Sequence, residues 1–125
     1  SPVLRKVVAK LVTNYVNPII TKRCYPEIRG LKKHPYAFVV DYAMNKQRSL
    51  NAHTDQSDVT LNVCLGHDFK GGDLMFYTYA GAKGFAVQQV LGRAIVHRGR
   101  HLHRAKPLTR GERTNLILWC QARAR

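Results

Sequence analysis

A chain of 125 residues has room for one core, and 45% hydrophobic with 22% charged residues excludes a disordered or collagen-like polymer. Its charge is the outlier: 21 Lys and Arg against 7 Asp and Glu leave +14, a balance common in polyanion-binding domains. Three cysteines, Cys24, Cys64 and Cys120, cannot all pair within one chain and lack the close spacing of a zinc knuckle. Reduced thiols are therefore expected, in an intracellular setting, cytoplasmic or nuclear. No apolar run approaches the ~20 residues of a membrane span, so no membrane association is expected. Ser1 is not an initiator Met, which leaves flanking segments open.

Ser1 reads as a helix N-cap with Pro2 at the first helical position. The pattern predicts an amphipathic helix from Ser1 to about Thr21, with Leu4, Val8, Leu11, Tyr15 and Ile19 on the packed stripe and Val7 and Val12 widening it. Arg5, Lys6 and Lys10 fall near the other face. Pro26, Gly30 and Pro35 then stop any helix, and Lys32, Lys33 and His34 read as a solvated loop.

From Tyr36 the chain changes to short β-rich runs: 36–42, 58–65, 72–79, 85–90, 93–97 and 113–121. Gly71-Gly72, Gly81 to Gly84, Gly92, Gly99 and Gly111 supply turns. Short runs separated by turn residues in this way predict a sandwich or barrel. Two runs alternate informatively, because successive strand side chains point to opposite faces. One places Val59, Leu61, Val63 and Leu65 on a core face and Thr60, Asn62 and Cys64 opposite; the other places Arg113, Asn115, Ile117 and Trp119 together, against Thr114, Leu116 and Leu118. An arginine and an asparagine beside Ile and Trp predict a lined cavity, or else an edge strand with an exposed polar end.

The chemistry starts at His53-Thr54-Asp55, where extended backbone lets an imidazole and a carboxylate converge on one ion. The run from His97 to Arg113 offers a further histidine, and an arginine follows ten residues after His103. Two histidines and one carboxylate with open positions form the facial set of non-haem Fe(II) oxygenases. A buried arginine suits a dicarboxylate, which its planar fork can bind through two hydrogen bonds. His97, His101 and His103 compete for the distal ligand position, while His34 and His67 flank turns and read as surface residues.

The order His53-x-Asp55, then Gly71-Gly72-Asp73-Leu74-Met75-Phe76, then His103 with Pro107, Gly111 and Arg113, then Asn115 and Trp119, resembles the Fe(II)- and 2-oxoglutarate-dependent dioxygenases. The nearest branch is that of prolyl 4-hydroxylases, collagen lysyl hydroxylases and 2-oxoglutarate and iron-dependent oxygenase domain-containing proteins. The likeness runs from about Phe38 to Gln121.

That resemblance implies a mainly β fold with an N-terminal supporting helix, a double-stranded β-helix of jelly-roll or cupin-like form. Residues 1–125 would make one catalytic domain, with 1–35 as helical support and linker and 36–125 as the β-helix core. It implies His53, Asp55 and His103 as Fe(II) ligands, His103 being chosen by its spacing to Pro107, Gly111 and Arg113. Arg113 would pair with the far carboxylate of 2-oxoglutarate, Tyr42 would touch the co-substrate, Asn62 and Cys64 would line the pocket, and Asn115 would sit beside Arg113. O2 would be the second co-substrate and ascorbate an accessory reductant.

The prime substrate divides the readings. A protein Pro or Lys side chain follows from the branch. A nucleic acid, in an oxidative demethylase of the AlkB type, follows from the charge and from Arg113-x-Asn115, but that family carries a second arginine where this chain has Trp119. A basic nucleic-acid-binding module without catalysis is the third reading. Seven Lys or Arg lie from Arg93 to Arg113, and most are expected around the pocket rim, where they would attract an acidic partner.

Overall fold

The computed structural model describes residues 1–45, 49–78 and 83–124. Helix α1 spans Pro2–Leu11, and the Ser1 hydroxyl accepts from Leu4 N at 3.4 Å as its N-cap. The helix runs on through a π-helical turn at Val12–Val16, a short α2 at Asn17–Ile19 and a second π-helical turn at Ile20–Cys24. Its packed face keeps Val8, Leu11 and Val12 of the expected face and departs from the rest of it. Val12, Val16 and Ile20 are buried, whereas Leu4, Val7, Tyr15 and Ile19 are each more than half exposed. The π turns explain the change: their i→i+5 bonds widen the helix beyond 3.6 residues per turn, so residues spaced strictly by four stay on one side.

Eight strands follow: β1 Tyr36–Ala43, β2 Val59–Gly66, β3 Phe69–Gly71, β4 Leu74–Thr78, β5 Lys83–Val87, β6 Ala94–Arg98, β7 His103–Ala105 and β8 Leu108–Cys120. They form two antiparallel sheets. The larger runs β1-β8-β2-β6, with β3 also on β8, and the smaller runs β5-β4-β7. This is a jelly-roll arrangement with one helical layer behind it.

The larger sheet has two different faces because its strands alternate. On the back, Val59, Leu61, Leu118 and Cys120 pack with Val12, Val16, Ile20, Ile28 and Leu31 in one apolar cluster. On the front, the antiparallel register aligns side chains into rows that cross the sheet. Tyr36 pairs with Trp119, Trp119 with Thr60, and Thr60 with His97; next come Phe38, Ile117, Asn62 and Ile95; then Val40, Asn115 and Cys64; then Tyr42 with Arg113. The smaller sheet faces this surface and supplies Leu74, His103 and Ala105 to the space between.

Several expectations change at the level of elements, and Gly71 and Gly84, expected in turns, lie in β3 and β5. Gly111 is not in a turn: it lies inside β8 opposite Phe69, at φ +79°, and an added Cβ would run into the Asp68 carbonyl. The strand expected at 85–90 lies earlier, at Lys83–Val87, and β8 begins at Leu108 instead of residue 113. The strand end at Tyr79 and the turn at Gly81 lie outside the described residues. Among the described residues, no helix is long and apolar enough to cross a membrane.

Candidate metal centre and adjoining cleft

The segment carrying His53 is fastened to β7 by a single antiparallel bridge. His53 N donates to His103 O at 2.9 Å and His103 N donates to His53 O at 3.0 Å. Residues that exchange both bonds face each other directly, and the two imidazole rings stand 4.4 Å apart. Two residues on, Asp55 N donates to Gly99 O at 2.7 Å, which ties the carboxylate to the turn after β6. Local extended geometry and these two anchors bring His53, Asp55 and His103 together, their ligand atoms all within 4.8 Å of one another.

The tautomers are set by the backbone. His53 Nδ1 lies 2.7 Å from Asn51 O and His103 Nδ1 lies 2.7 Å from His101 O. A carbonyl only accepts, so each Nδ1 carries a proton and each Nε2 faces Asp55 Oδ1, both at 3.3 Å. This orientation of histidines by a second partner is the usual preparation for metal binding. The Asp55 side chain is 4% exposed and that of His53 38%, so the centre opens on the His53 side.

Burial alone would push the Asp55 carboxyl up, but the hydrogen bonds of His103 and Thr60 and the nearby imidazoles outweigh it and hold the group below its ordinary value. Burial likewise works to lower His103, and the contact with Asp55 overcomes it and raises that imidazole. A cation at this point would take over the role of the shared proton.

The other histidines are placed elsewhere. His101 Nε2 lies 3.2 Å from Tyr77 O, and its ring packs 5.1 Å from Phe76. His97, opposite Thr60, has its Nδ1 2.8 Å from Arg98 O and its Nε2 3.9 Å from Asp55 Oδ2. Burial pushes it down to about 4, so it is a neutral ring with a bare lone pair. Among the described residues that Nε2 has no hydrogen-bond partner. His34 and His67 are exposed.

From this centre extends a cleft of about 400 Å³ lined by Tyr42, Leu50, Asn62, Leu74 and Ile117. Its outer wall is aromatic: Phe38 meets Trp119 edge to face with centroids 5.3 Å apart, and Tyr36 lies within 5.8 Å of both.

Arg113 is 1% exposed and sits beside the cleft, its guanidinium 4.7 Å from the Tyr42 ring centroid and 5.2 Å from that of Phe69. Its Nε donates to Asn115 Oδ1 at 2.8 Å and its Nη1 to Gly72 O at 2.7 Å. Gly72 is needed there: at φ +74° an added Cβ would strike Nη1. Among the described residues Nη2 has no partner and no carboxylate pairs with Arg113. Burial lowers the Arg113 guanidinium from its ordinary value and raises the Tyr42 hydroxyl. A buried, half-satisfied guanidinium is costly alone and well matched to an anion.

Asn115 is fully buried and has both ends in use. Its Nδ2 donates to Asn62 Oδ1 at 2.7 Å and to Gln89 Oε1 at 3.1 Å. It therefore steadies Arg113 and leaves the cleft wall to Asn62. Cys64, expected on that wall, is buried outright and does not border the cleft. Gln89 escaped the sequence reading, as it lies in the irregular stretch after β5 with no periodic signal. Two of the arginines expected at the rim are engaged elsewhere: Arg98 bonds Glu27 at 2.8 Å and stacks on Tyr25, and Arg110 lies 3.7 Å from Asp68.

No protein-family model matches the chain. It is 39% identical over 125 residues to a 2-oxoglutarate and iron-dependent oxygenase domain-containing protein of Arabidopsis thaliana, covering 90% of this chain and 31% of that protein. It is also 34% identical over 114 residues to the procollagen-lysine,2-oxoglutarate 5-dioxygenase 1 of Rattus norvegicus, covering 83% of this chain and 14% of that one. The chain thus spans about a third of the Arabidopsis relative.

Among solved structures, a 2OG-Fe(II) oxygenase family oxidoreductase from Burkholderia pseudomallei superposes with a TM-score of 0.70 at 17% identity, over 92% of this chain and 56% of that one. A Pseudomonas putida prolyl-4-hydroxylase gives 0.60 at 20%, over 84% and 59%. In sequence the chain is similar to 2-oxoglutarate and iron-dependent oxygenase domain proteins, and its jelly-roll is the fold of 2OG-Fe(II) oxygenases.

Proposed function

We propose that the chain forms an Fe(II)- and 2-oxoglutarate-dependent dioxygenase centre that hydroxylates a Pro or Lys side chain of a protein. The observation that carries this reading is the meeting of His53, Asp55 and His103 on the wall of a cleft, with an uncompensated buried arginine beside it. Two imidazoles and one carboxylate leave half of an octahedral ion open, the donor set suited to Fe(II) with a chelating co-substrate. Structural zinc instead prefers a closed tetrahedral site.

When bound, Fe(II) and 2-oxoglutarate would supply the oxidation, coupling decarboxylation of the co-substrate to transfer of one oxygen atom from O2 to a C–H bond. The chain's own residues do the rest. His53, Asp55 and His103 would hold the metal on one wall of a mostly apolar cleft. Arg113 binds and orients the far carboxylate of the co-substrate, helped by the Tyr42 hydroxyl, while Asn115, Gly72 and Gln89 keep the guanidinium in place. Tyr36, Phe38 and Trp119 offer flat apolar surface to the prime substrate. The preference for a Lys or Pro residue is supported by the name of the rat relative and by the branch to which the motifs are similar.

The test is succinate formation from 2-oxoglutarate with Fe(II), ascorbate and peptide libraries, read together with a gain of one oxygen atom on the peptide. His103→Ala should abolish both. His101→Ala should keep activity, because its ring is committed to Tyr77 and Phe76. Wild-type activity in His103→Ala would sink the assignment. The +14 charge favours a second substrate class, and methylated oligonucleotides in the same assay separate it from peptides.

A further inference from the structure

We propose that Thr60 is a positioning residue for the metal centre: its hydroxyl, itself held by Ser57, occupies Asp55 Oδ2 and leaves Oδ1 alone to meet a metal. The inference rests on reading His53, Asp55 and His103 as a metal-binding set.

The two oxygens of Asp55 have different neighbours. Oδ1 faces His53 and His103, whose Nε2 atoms are both 3.3 Å away. Oδ2 faces Thr60, whose Oγ1 lies at 2.7 Å, and Ser57 Oγ lies a further 2.7 Å from Thr60 Oγ1. A hydroxyl has one proton to give and an ionised carboxylate only accepts. The chain of bonds therefore has one direction: Ser57 donates to Thr60, and Thr60 donates to Asp55.

Ser57 Oγ could accept that proton instead, but the ionised carboxylate is the stronger acceptor. Thr60 is 1% exposed, near the start of β2 on the front face of the larger sheet, between Trp119 and His97. His97 cannot replace it, because its Nδ1 proton is given to Arg98 O and its Nε2 meets Oδ2 as a second acceptor at 3.9 Å. Ser57 is held in turn by close packing, since any side chain at Gly99 would collide with its carbonyl and hydroxyl. Gly99 is also the residue whose carbonyl anchors Asp55 N.

The consequence is a carboxylate that fills one coordination position instead of two. That keeps the remaining positions free for a chelating co-substrate and one further ligand. Partners of metal-binding carboxylates commonly affect metal affinity by 10- to 100-fold when removed, as an order-of-magnitude guide.

Co(II) serves as the probe, read by its Kd and by its visible absorption, which reports coordination number. Thr60→Val keeps the branched shape and deletes the hydroxyl, and Thr60→Ser restores it. Thr60→Val should weaken Co(II) binding roughly 10- to 100-fold and alter the absorption envelope, whereas Thr60→Ser should return both to near wild type. Wild-type affinity and spectrum in Thr60→Val would overturn the proposal.

Two controls keep the outcomes apart. Wild-type binding that His103→Ala abolishes establishes the metal set independently; a wild-type chain that does not bind Co(II) removes that reading and this one with it. Thermal melts of the metal-free variants check folding. Should Thr60→Val not fold, Ser57→Ala carries the test at the partly exposed end of the chain of bonds, with a smaller loss expected and unchanged affinity counting against the role.

Discussion

Arg113 shows how much a single residue's surroundings determine. Its Nε and Nη1 are satisfied by Asn115 and Gly72, two aromatic rings flank it, and Nη2 is left bare. Lysine would keep the charge and lose the fork, and such an exchange is not conservative at a two-bond site. Arg113→Lys should therefore weaken 2-oxoglutarate binding at least ~10-fold, the order expected when a charged hydrogen bond to a carboxylate is lost. Co(II) binding by His53, Asp55 and His103 should persist. Calorimetric titration of each ligand checks both halves. Burial differs just as sharply among the cysteines. Cys24 is exposed, while Cys64 and Cys120 are buried, and burial pushes Cys120 up to about 11. A thiol reagent at neutral pH should modify Cys24 in the folded chain and reach the other two only after denaturation, as mass spectrometry would show.

At the scale of elements, the alternation of β2 up to Cys64 and of β8 was legible because a strand's period is two and the two faces of each strand differ in character; Leu65, expected on the core face, is instead exposed, where the register shifts between Cys64 and Gly66. The helix was read only in part: Val8, Leu11 and Val12 pack on the core as expected, but a 3.6-residue template also selects Leu4 and Tyr15, whereas π turns carry Val16 and Ile20 inward. Ile20→Ala should cost about 2–5 kcal/mol, the usual range for emptying a core position. Leu4→Ala, on the exposed side, should change stability by less than about 0.5 kcal/mol. Equal effects in urea denaturation would contradict this packing. β3 and β7 are three residues each, too short for any periodic signal, and they exist because β8 and β4 offer unpaired edges. Gly111 belongs to the same class: its positive φ serves a strand that passes close to Asp68. Gly111→Ala should destabilise the fold by at least about 1 kcal/mol, because the conformation excludes the new side chain.

For the whole molecule, the surplus of positive charge no longer reads as a simple ring around the pocket. Arg98 is tied to Glu27 and Tyr25, Arg110 lies beside Asp68, and Arg113 is internal. The remaining basic side chains set a general field that attracts anions and is screened by salt. Binding to a single-stranded oligonucleotide should therefore weaken steeply as salt is raised, while co-substrate binding at the enclosed arginine should weaken much less. Fluorescence anisotropy and calorimetry across a salt series would distinguish the two. From residues alone came the β-rich class, the His53-x-Asp55 pair, the two-faced strands and, through family likeness, the jelly-roll with His103 and Arg113. These are carried by local periodicity and by spacing along one chain. Only the tertiary structure decided which histidines meet Asp55, which of its oxygens Thr60 occupies, that Asn115 and Gln89 serve Arg113, and which helix face is buried. Each of those depends on the register between strands and on sheets facing one another, contacts between residues far apart in sequence that no local pattern encodes.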